Sequence, residues 1–334
     1  MADEIKEDSI LCVGPSWIGD MIMALPALHA MRQSFPGRDI AVLTKPHLVP
    51  LWHLSQLTEK LIELETGRAG TRASVRKLRH CKFARAYVLP NSFRSALIPF
   101  LARIPRRIGY RGHWRSVMLT DIASREKGGR TKCHQAYENI RLVEPCLEKI
   151  EFRYPSLDVS EEEYLSTQER FAFPENAVGM IPGAARGPSK CWPMKHYAEL
   201  GRQLTGEGMP IAVFGSSSEG DLCGKTAAAI GSGAKSYAGK TDLREWAVLM
   251  SHCRAIVSND SGGMHLAAAL GVPLVAIFGI TDPDKTGPLG ERCTVLQNSD
   301  FRDRDIARDS VLARKCLESV RPETVYRAVS DLIE

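Results

Sequence analysis

A chain of 334 residues, 44% hydrophobic and 25% charged, has the make-up of a soluble globular protein with room for two domains. No apolar run approaches the roughly eighteen residues of a membrane-spanning helix, and the acidic, polar start from Met1 to Asp8 does not read as a signal peptide. The net charge of +5 hides an asymmetry, because Gly67 to Thr120 holds thirteen arginines and lysines and no Asp or Glu.

In chain order the pattern alternates strand and helix. Ser9–Val13 is a first apolar strand, Gly14–Asp20 a turn, and Met21–Phe35 a helix with Pro26 as kink or restart. Asp39–Leu43 is a second strand, followed by a helix near Leu48–Leu54 and a short strand near Lys60–Leu64. Ala73–Cys81 reads as a basic helix, Arg85–Leu89 as a strand, Ser95–Ala102 as a helix, Arg107–Tyr110 as a short strand and Gln135–Glu144 as a helix. The character changes between Pro155 and Asn176, where acidic Ser160–Glu163 looks like a capped helix start. A second alternation follows. Its strands are Ala177–Ile181, Pro210–Phe214, Arg254–Val257 and Pro273–Phe278, and its helices include His196–Thr205, Leu243–Cys253 and a terminal Arg321–Glu334. This rhythm predicts an α/β protein of two doubly wound, Rossmann-like domains facing a central cleft. The expected division is residues 1–165, residues 166–320, and a C-terminal helix 321–334 with the option of packing back on the first domain.

Nine scattered cysteines without a C-x-x-C pair read as reduced thiols in a cytoplasmic protein, not as disulfides or a zinc site. The acid-free basic span predicts an anionic partner or surface. Nucleic acid is the obvious candidate, but no helix-turn-helix, RNA-binding or zinc-finger signature accompanies the span, and a membrane surface or a phosphorylated substrate fits as well.

The loops at the carboxyl ends of the predicted strands carry the chemistry. Ser258 to His265 runs from a buried strand into the helical run Leu266–Leu270. Asp260, Ser261 and Gly262 therefore stand at a helix N-terminus, where unpaired N–H groups and the helix dipole suit a phosphate. A plain turn capped by Asp or Ser reads the same way. Gly14–Met21 imitates a P-loop, but Asp20 replaces the lysine, and a carboxylate there repels a phosphate. The G-x-G-x-x-G dinucleotide fingerprint is absent as well. What remains is an acid at a helix start, equally consistent with stabilising that helix and with accepting a proton.

Six stretches, in this order, carry a resemblance: GPSWIGDM from Gly14, AYVLPNSFRSAL from Ala86, PGA from Pro182, KCWPMKHYAEL from Lys190, VFGSSSE from Val213 and VSNDSGGMHLAAAL from Val257. Together they resemble the bacterial lipopolysaccharide heptosyltransferases, glycosyltransferase family 9, with the GT-B fold. The resemblance implies transfer of L-glycero-D-manno-heptose, with inversion, from ADP-heptose to the first heptose of the lipopolysaccharide inner core. It implies Asp20 as catalytic base. It also implies a donor site of Lys190, Glu219, Asp260, Ser261, Gly262 and His265, with Glu219 at the ribose. Arg186 stands where related transferases carry a hydroxyl. Asn91, Arg94, Arg106, Arg107 and Arg111 are expected at the acceptor, a heptosyl-Kdo2-lipid A type glycolipid met at the inner face of the inner membrane. A nucleoside diphosphate leaves as a stabilised anion, so one base and positive charge suffice. Without clustered carboxylates, no metal or cofactor is expected. The alternatives are a family member with another acceptor, a sugar-nucleotide epimerase of the same fold, and a non-catalytic module binding anionic lipid or nucleic acid.

Overall fold

The computed structural model describes residues 8–65, 67–112, 114–124, 134–299 and 310–334. They form two compact units, Met1–Pro155 and Ser156–Glu334. The first unit holds six parallel strands: β1 (Ile10–Val13), β2 (Ile40–Thr44), β3 (Lys60–Glu63), β4 (Arg85–Val88), β5 (Arg106–Tyr110) and β6 (Asp121–Ala123). Their order across the sheet is β3-β2-β1-β4-β5-β6. β1 and β2 are buried along their whole length, which is why they read as unbroken apolar runs rather than alternating ones.

The second unit repeats this plan with β7 (Val178–Ile181), β8 (Ile211–Val213), β9 (Ala234–Ser236), β10 (Ala255–Asn259), β11 (Leu274–Phe278) and β12 (Cys293–Gln297). Its order is β12-β11-β10-β7-β8-β9, again parallel throughout. In each sheet the strand order reverses beside the unit's first strand, between β1 and β4 and between β7 and β10. At such a point the loops leaving the two carboxyl ends run apart and open a crevice for a ligand.

The differences from the sequence reading have local causes. The edge strands β6 and β9 have only three residues each, and β12 is nowhere fully buried, so apolar periodicity does not mark them. The basic helix runs from Gly67 to His80, six residues earlier than expected, and the expected long helix from Met21 is two pieces, Ile18–Ile22 and Leu25–Ser34, with Pro26 in the first turn of the second. β10 extends through Asn259, two residues beyond the expected strand.

The helix Glu161–Phe171 belongs to the second unit, because Arg244 forks onto Glu163, with Nη2 donating to Oε2 at 2.9 Å. The C-terminal helix Pro322–Ile333 belongs to the second unit too. Val325 and Val329 are fully buried in the second core with Tyr197, Leu200 and Leu204, and the Trp192 indole donates to Val320 C=O at 2.9 Å. Eight cysteines are free thiols; Cys133 and the acidic start from Met1 to Glu7 lie outside the described residues.

One arginine of the basic span is not on the surface at all. Arg115 has no exposed surface, and its guanidinium donates to Pro90 C=O and, at 3.3 Å, to Val88 C=O at the carboxyl end of β4. Gly109 on β5 makes room for it, since a Cβ there would lie 2.4 Å from Nη2. Replacing Arg115 by Met strips partners from buried carbonyls and should lower the unfolding free energy by about 2–4 kcal/mol, whereas exposed Arg72→Met should change it by less than about 0.5 kcal/mol. Urea denaturation of the two variants measures this; equal effects would contradict the structural role of Arg115.

Candidate active site

In the first unit the loop Gly14–Trp17 leaves β1 and leads into the short helix Ile18–Ile22, whose third residue is Asp20. The carboxylate is partly exposed, and its Oδ1 accepts a 2.8 Å hydrogen bond from Gln135 Nε2. Gln135 opens the helix Gln135–Val143, and that helix is fixed in turn by Asn139, whose buried amide donates to Met23 C=O at 3.0 Å. One carboxylate oxygen is thus held and oriented, and the other is left for a further partner. No sequence signal connects Gln135 to a residue 115 positions away.

The expected acceptor residues divide between the two ends of this sheet. Asn91 and Arg94 follow β4 and Arg111 follows β5, so they share the carboxyl end with Asp20. Asn91, Arg94 and Arg111 are exposed, and Arg94 also donates to Glu65 C=O at 3.0 Å. Arg106 and Arg107 begin β5, and Arg106 stands level with Arg85 and Ile10, the first residues of β4 and β1. They lie at the amino end and do not join the others. Arg106 pairs with Asp121 at 3.0 Å, and Arg107 donates to Met118 C=O at 2.6 Å and Ile104 C=O at 2.5 Å. Nearness in sequence to Arg111 concealed that β5 carries them to the opposite end of the sheet.

The second unit gathers its expected residues around the end of β10. Asn259, fully buried, receives Trp192 N–H at 2.9 Å on Oδ1, which lies 3.1 Å from the Tyr197 hydroxyl, and donates through Nδ2 to Pro182 C=O at 2.8 Å. It therefore ties both ends of the loop Pro182–Trp192 to the strand. Within that loop Gly187, at φ +99°, turns the chain, and Lys190 N–H closes on Gly187 C=O at 3.1 Å. The Lys190 ammonium is thereby delivered to the Asp260 carboxylate in an ion pair whose side chains are 16% and 8% exposed. The other two ammonium protons remain available. Ser261 is the N-cap of the helix Gly262–Ala269, with its hydroxyl 3.2 Å from that of Ser258, and His265 is buried one turn in. Arg186 is exposed in the loop before Lys190.

Glu219 closes the other side. With Ser216 it forms a capping box, its Oε2 accepting from Ser216 N–H at 2.8 Å. Its Oε1 lies against Gly183, where a Cβ would stand only 2.0 Å away. Glu219 thus reaches the Pro182–Ala184 loop as part of the same cluster. Burial and the Glu219 charge push the thiols of Cys191 and Cys223 up to about 11 and about 12, so both stay protonated. Asn259 sits inside the stretch that the sequence reading singles out, yet that reading passes over it. An Asn at the carboxyl end of a buried strand, where its amide must find several partners, is the signal. Among the described residues no three His, Cys, Asp or Glu side chains gather as a metal site.

The family profile described as Glycosyltransferase family 9 (heptosyltransferase) matches residues 71–313. The chain is 36% identical over 310 residues to lipopolysaccharide heptosyltransferase 2 of Salmonella typhimurium, covering 86% of this chain and 87% of that one. To lipopolysaccharide heptosyltransferase 2 of Escherichia coli it is 35% identical over 304 residues, with the same coverage. The solved structure of E. coli ADP-heptose LPS heptosyltransferase II is similar with a TM-score of 0.87 and 33% identity, over 97% of this chain and 98% of that one.

Asn259→Ala would leave Trp192 N–H and Pro182 C=O without their partner and untie the loop that carries Lys190. The expected cost is about 2–4 kcal/mol in the unfolding free energy. Thermal and urea unfolding check this, and a variant as stable as the parent would show that the loop is held by other means.

Proposed function

Because the chain belongs to glycosyltransferase family 9, the heptosyltransferases, we propose that it transfers L-glycero-D-manno-heptose from ADP-heptose to the first heptose of the lipopolysaccharide inner core, as a heptosyltransferase II. The observation that carries this reading is the cluster at the switch point of the second sheet. There a lysine held by Asp260, the N-terminus of Gly262–Ala269 and Glu219 surround one loop end. Backbone N–H groups and an ammonium suit a diphosphate, and a carboxylate suits the hydroxyls of a ribose. Arg186 and His265 complete the proposed donor site.

In the proposed reaction Asp20 takes the proton of the acceptor hydroxyl while that oxygen attacks the anomeric carbon of the heptose. The bond from that carbon to the ADP oxygen breaks, and its electron pair leaves on the diphosphate. Lys190 and the helix N-terminus stabilise the charge that accumulates there, so no acid is needed to protonate the leaving group. Attack from the face opposite ADP inverts the anomeric centre. Gln135 keeps the Asp20 carboxylate turned for proton transfer. Asn91, Arg94 and Arg111 are the proposed contacts to the phosphorylated acceptor, a heptosyl-Kdo2-lipid A type glycolipid. Arg106 and Arg107 leave this list because they stand at the opposite end of the sheet. Such an acceptor places the enzyme at the inner face of the bacterial inner membrane as a peripheral protein. The described residues include no helix long and apolar enough to cross a membrane.

Purified protein incubated with ADP-heptose and the acceptor, with products followed by mass spectrometry, tests the reading; donor consumption without a heptosylated acceptor would refute it. In the same assay Asp20→Asn should reduce turnover by about 10²–10⁴-fold while ADP binding, measured by calorimetry, stays near the parent value. Lys190→Ala should behave differently, weakening ADP binding and lowering turnover together. Unchanged ADP affinity in that variant would make Lys190 a loop anchor only.

A further inference from the structure

We propose that the helices Gly67–His80 and Phe93–Leu101 form one continuous face on which the protein lies on an anionic lipid bilayer. This rests on the reading that the acceptor is a membrane glycolipid, and it names the surface that reaches the membrane.

At 100° per residue, Arg68, Arg72, Arg76 and Arg79 fall within an arc of about 80° on the first helix. All four are exposed, while Gly70, Ser74, Val75 and Leu78 face the core. The second helix is turned the unusual way for a water-soluble protein. Ser95, Ala96, Ile98 and Pro99 are buried, whereas Phe93, Phe100 and Leu101 are 47%, 41% and 39% exposed. Phe93, Phe100 and Leu101, at i, i+7 and i+8, share one exposed apolar side of the helix, with Leu97 between them half-buried against the core.

The two helices run side by side in the same direction. Arg94, near the start of the second, donates to Glu65 C=O just before the first at 3.0 Å. At their far ends Arg79 donates to Leu101 C=O through Nη2 at 2.8 Å and Nε at 3.2 Å. The arginine row therefore borders the apolar stripe. The turn Ser116–Met118 extends the stripe, with Val117 84% exposed. Arg107 connects the two, lying 5.5 Å from the Phe100 ring centre and donating to Met118 C=O.

The chemistry of the face selects its occupant. The acids flanking the acid-free span are already engaged, Glu65 with Lys77 and Asp121 with Arg106. Arginines one turn apart, about 6 Å, meet many headgroup phosphates without demanding a fixed pose. Exposed Phe and Leu beside them enter the boundary between headgroups and acyl chains. A second copy of the chain fits poorly, because a two-fold contact would set arginine row against arginine row. Nucleic acid accounts for the arginines and leaves the apolar stripe unused.

Flotation with vesicles of phosphatidylethanolamine, with and without phosphatidylglycerol, tests the proposal at low and high salt. The parent should float only with phosphatidylglycerol, and less at high salt. Arg68→Glu/Arg72→Glu/Arg76→Glu should reduce binding by at least about 100-fold and abolish its salt response. Phe100→Ser/Leu101→Ser should reduce binding at both salt concentrations. Both variants should keep the parent ADP affinity and the parent rate on a deacylated, water-soluble acceptor, and lose rate on acceptor embedded in vesicles. Parent-like flotation of both variants, or a fall in sedimenting mass that marks the face as a contact between copies, would overturn the proposal. Failure of the parent to glycosylate even the soluble acceptor would strike the proposed function instead, and leave the flotation result to be judged alone.

Discussion

The arrangement of the loops around the end of β10 depends on one buried amide. Asn259 ends a fully buried strand, and its side chain answers backbone groups at both ends of the loop Pro182–Trp192. A polar side chain in such a place is stable only if its oxygen and nitrogen are both matched. Satisfying Asn259 therefore sets the loop, and the loop sets Lys190 against Asp260. The charged residues are arranged by an uncharged one that makes no use of its own reactivity.

The first unit solves the corresponding problem with different parts. Asp20 projects from a helix of five residues, too short to hold a carboxylate firmly. Its orientation comes from Gln135 on a separate helix, and that helix is seated through Asn139. Beneath the neighbouring β4 loop, buried Arg115 ties Pro90 and Val88 and so fixes the stretch from which Asn91 departs. In both units the residues proposed to do chemistry sit on short or irregular segments, braced from below by Asn139, Arg115 and Asn259, all buried.

The central strands were legible because full burial leaves an unbroken apolar run, as in Ile10–Val13 and Leu274–Phe278. The edge strands were not, since Ala234–Ser236 carries too little apolar content to stand out. Asp20, Asp260 and Ser261 stood out in the sequence because their types and their place after a strand suggest chemistry, whereas Lys190 was singled out only by the family resemblance. The arginines show the limit. A formal charge reveals nothing about whether a guanidinium is buried, like Arg115, spent on backbone carbonyls, like Arg107, or exposed, like Arg72. Nor does spacing reveal at which end of a strand a residue falls, which separates Arg106 from Arg111. Gln135 was invisible because its partner is remote in sequence.

Cys191 follows Lys190 directly, and a thiol beside a cation commonly ionises early and becomes a target for oxidants. Here burial and the Glu219 carboxylate act in the opposite direction and push it up to about 11. The neighbouring Cys223 is pushed higher still. Two sulfur atoms can therefore serve as small apolar filling around the Pro182–Trp192 loop. Burial, more than the carboxylate, keeps both thiols in their unreactive protonated form beside the loop that holds Lys190.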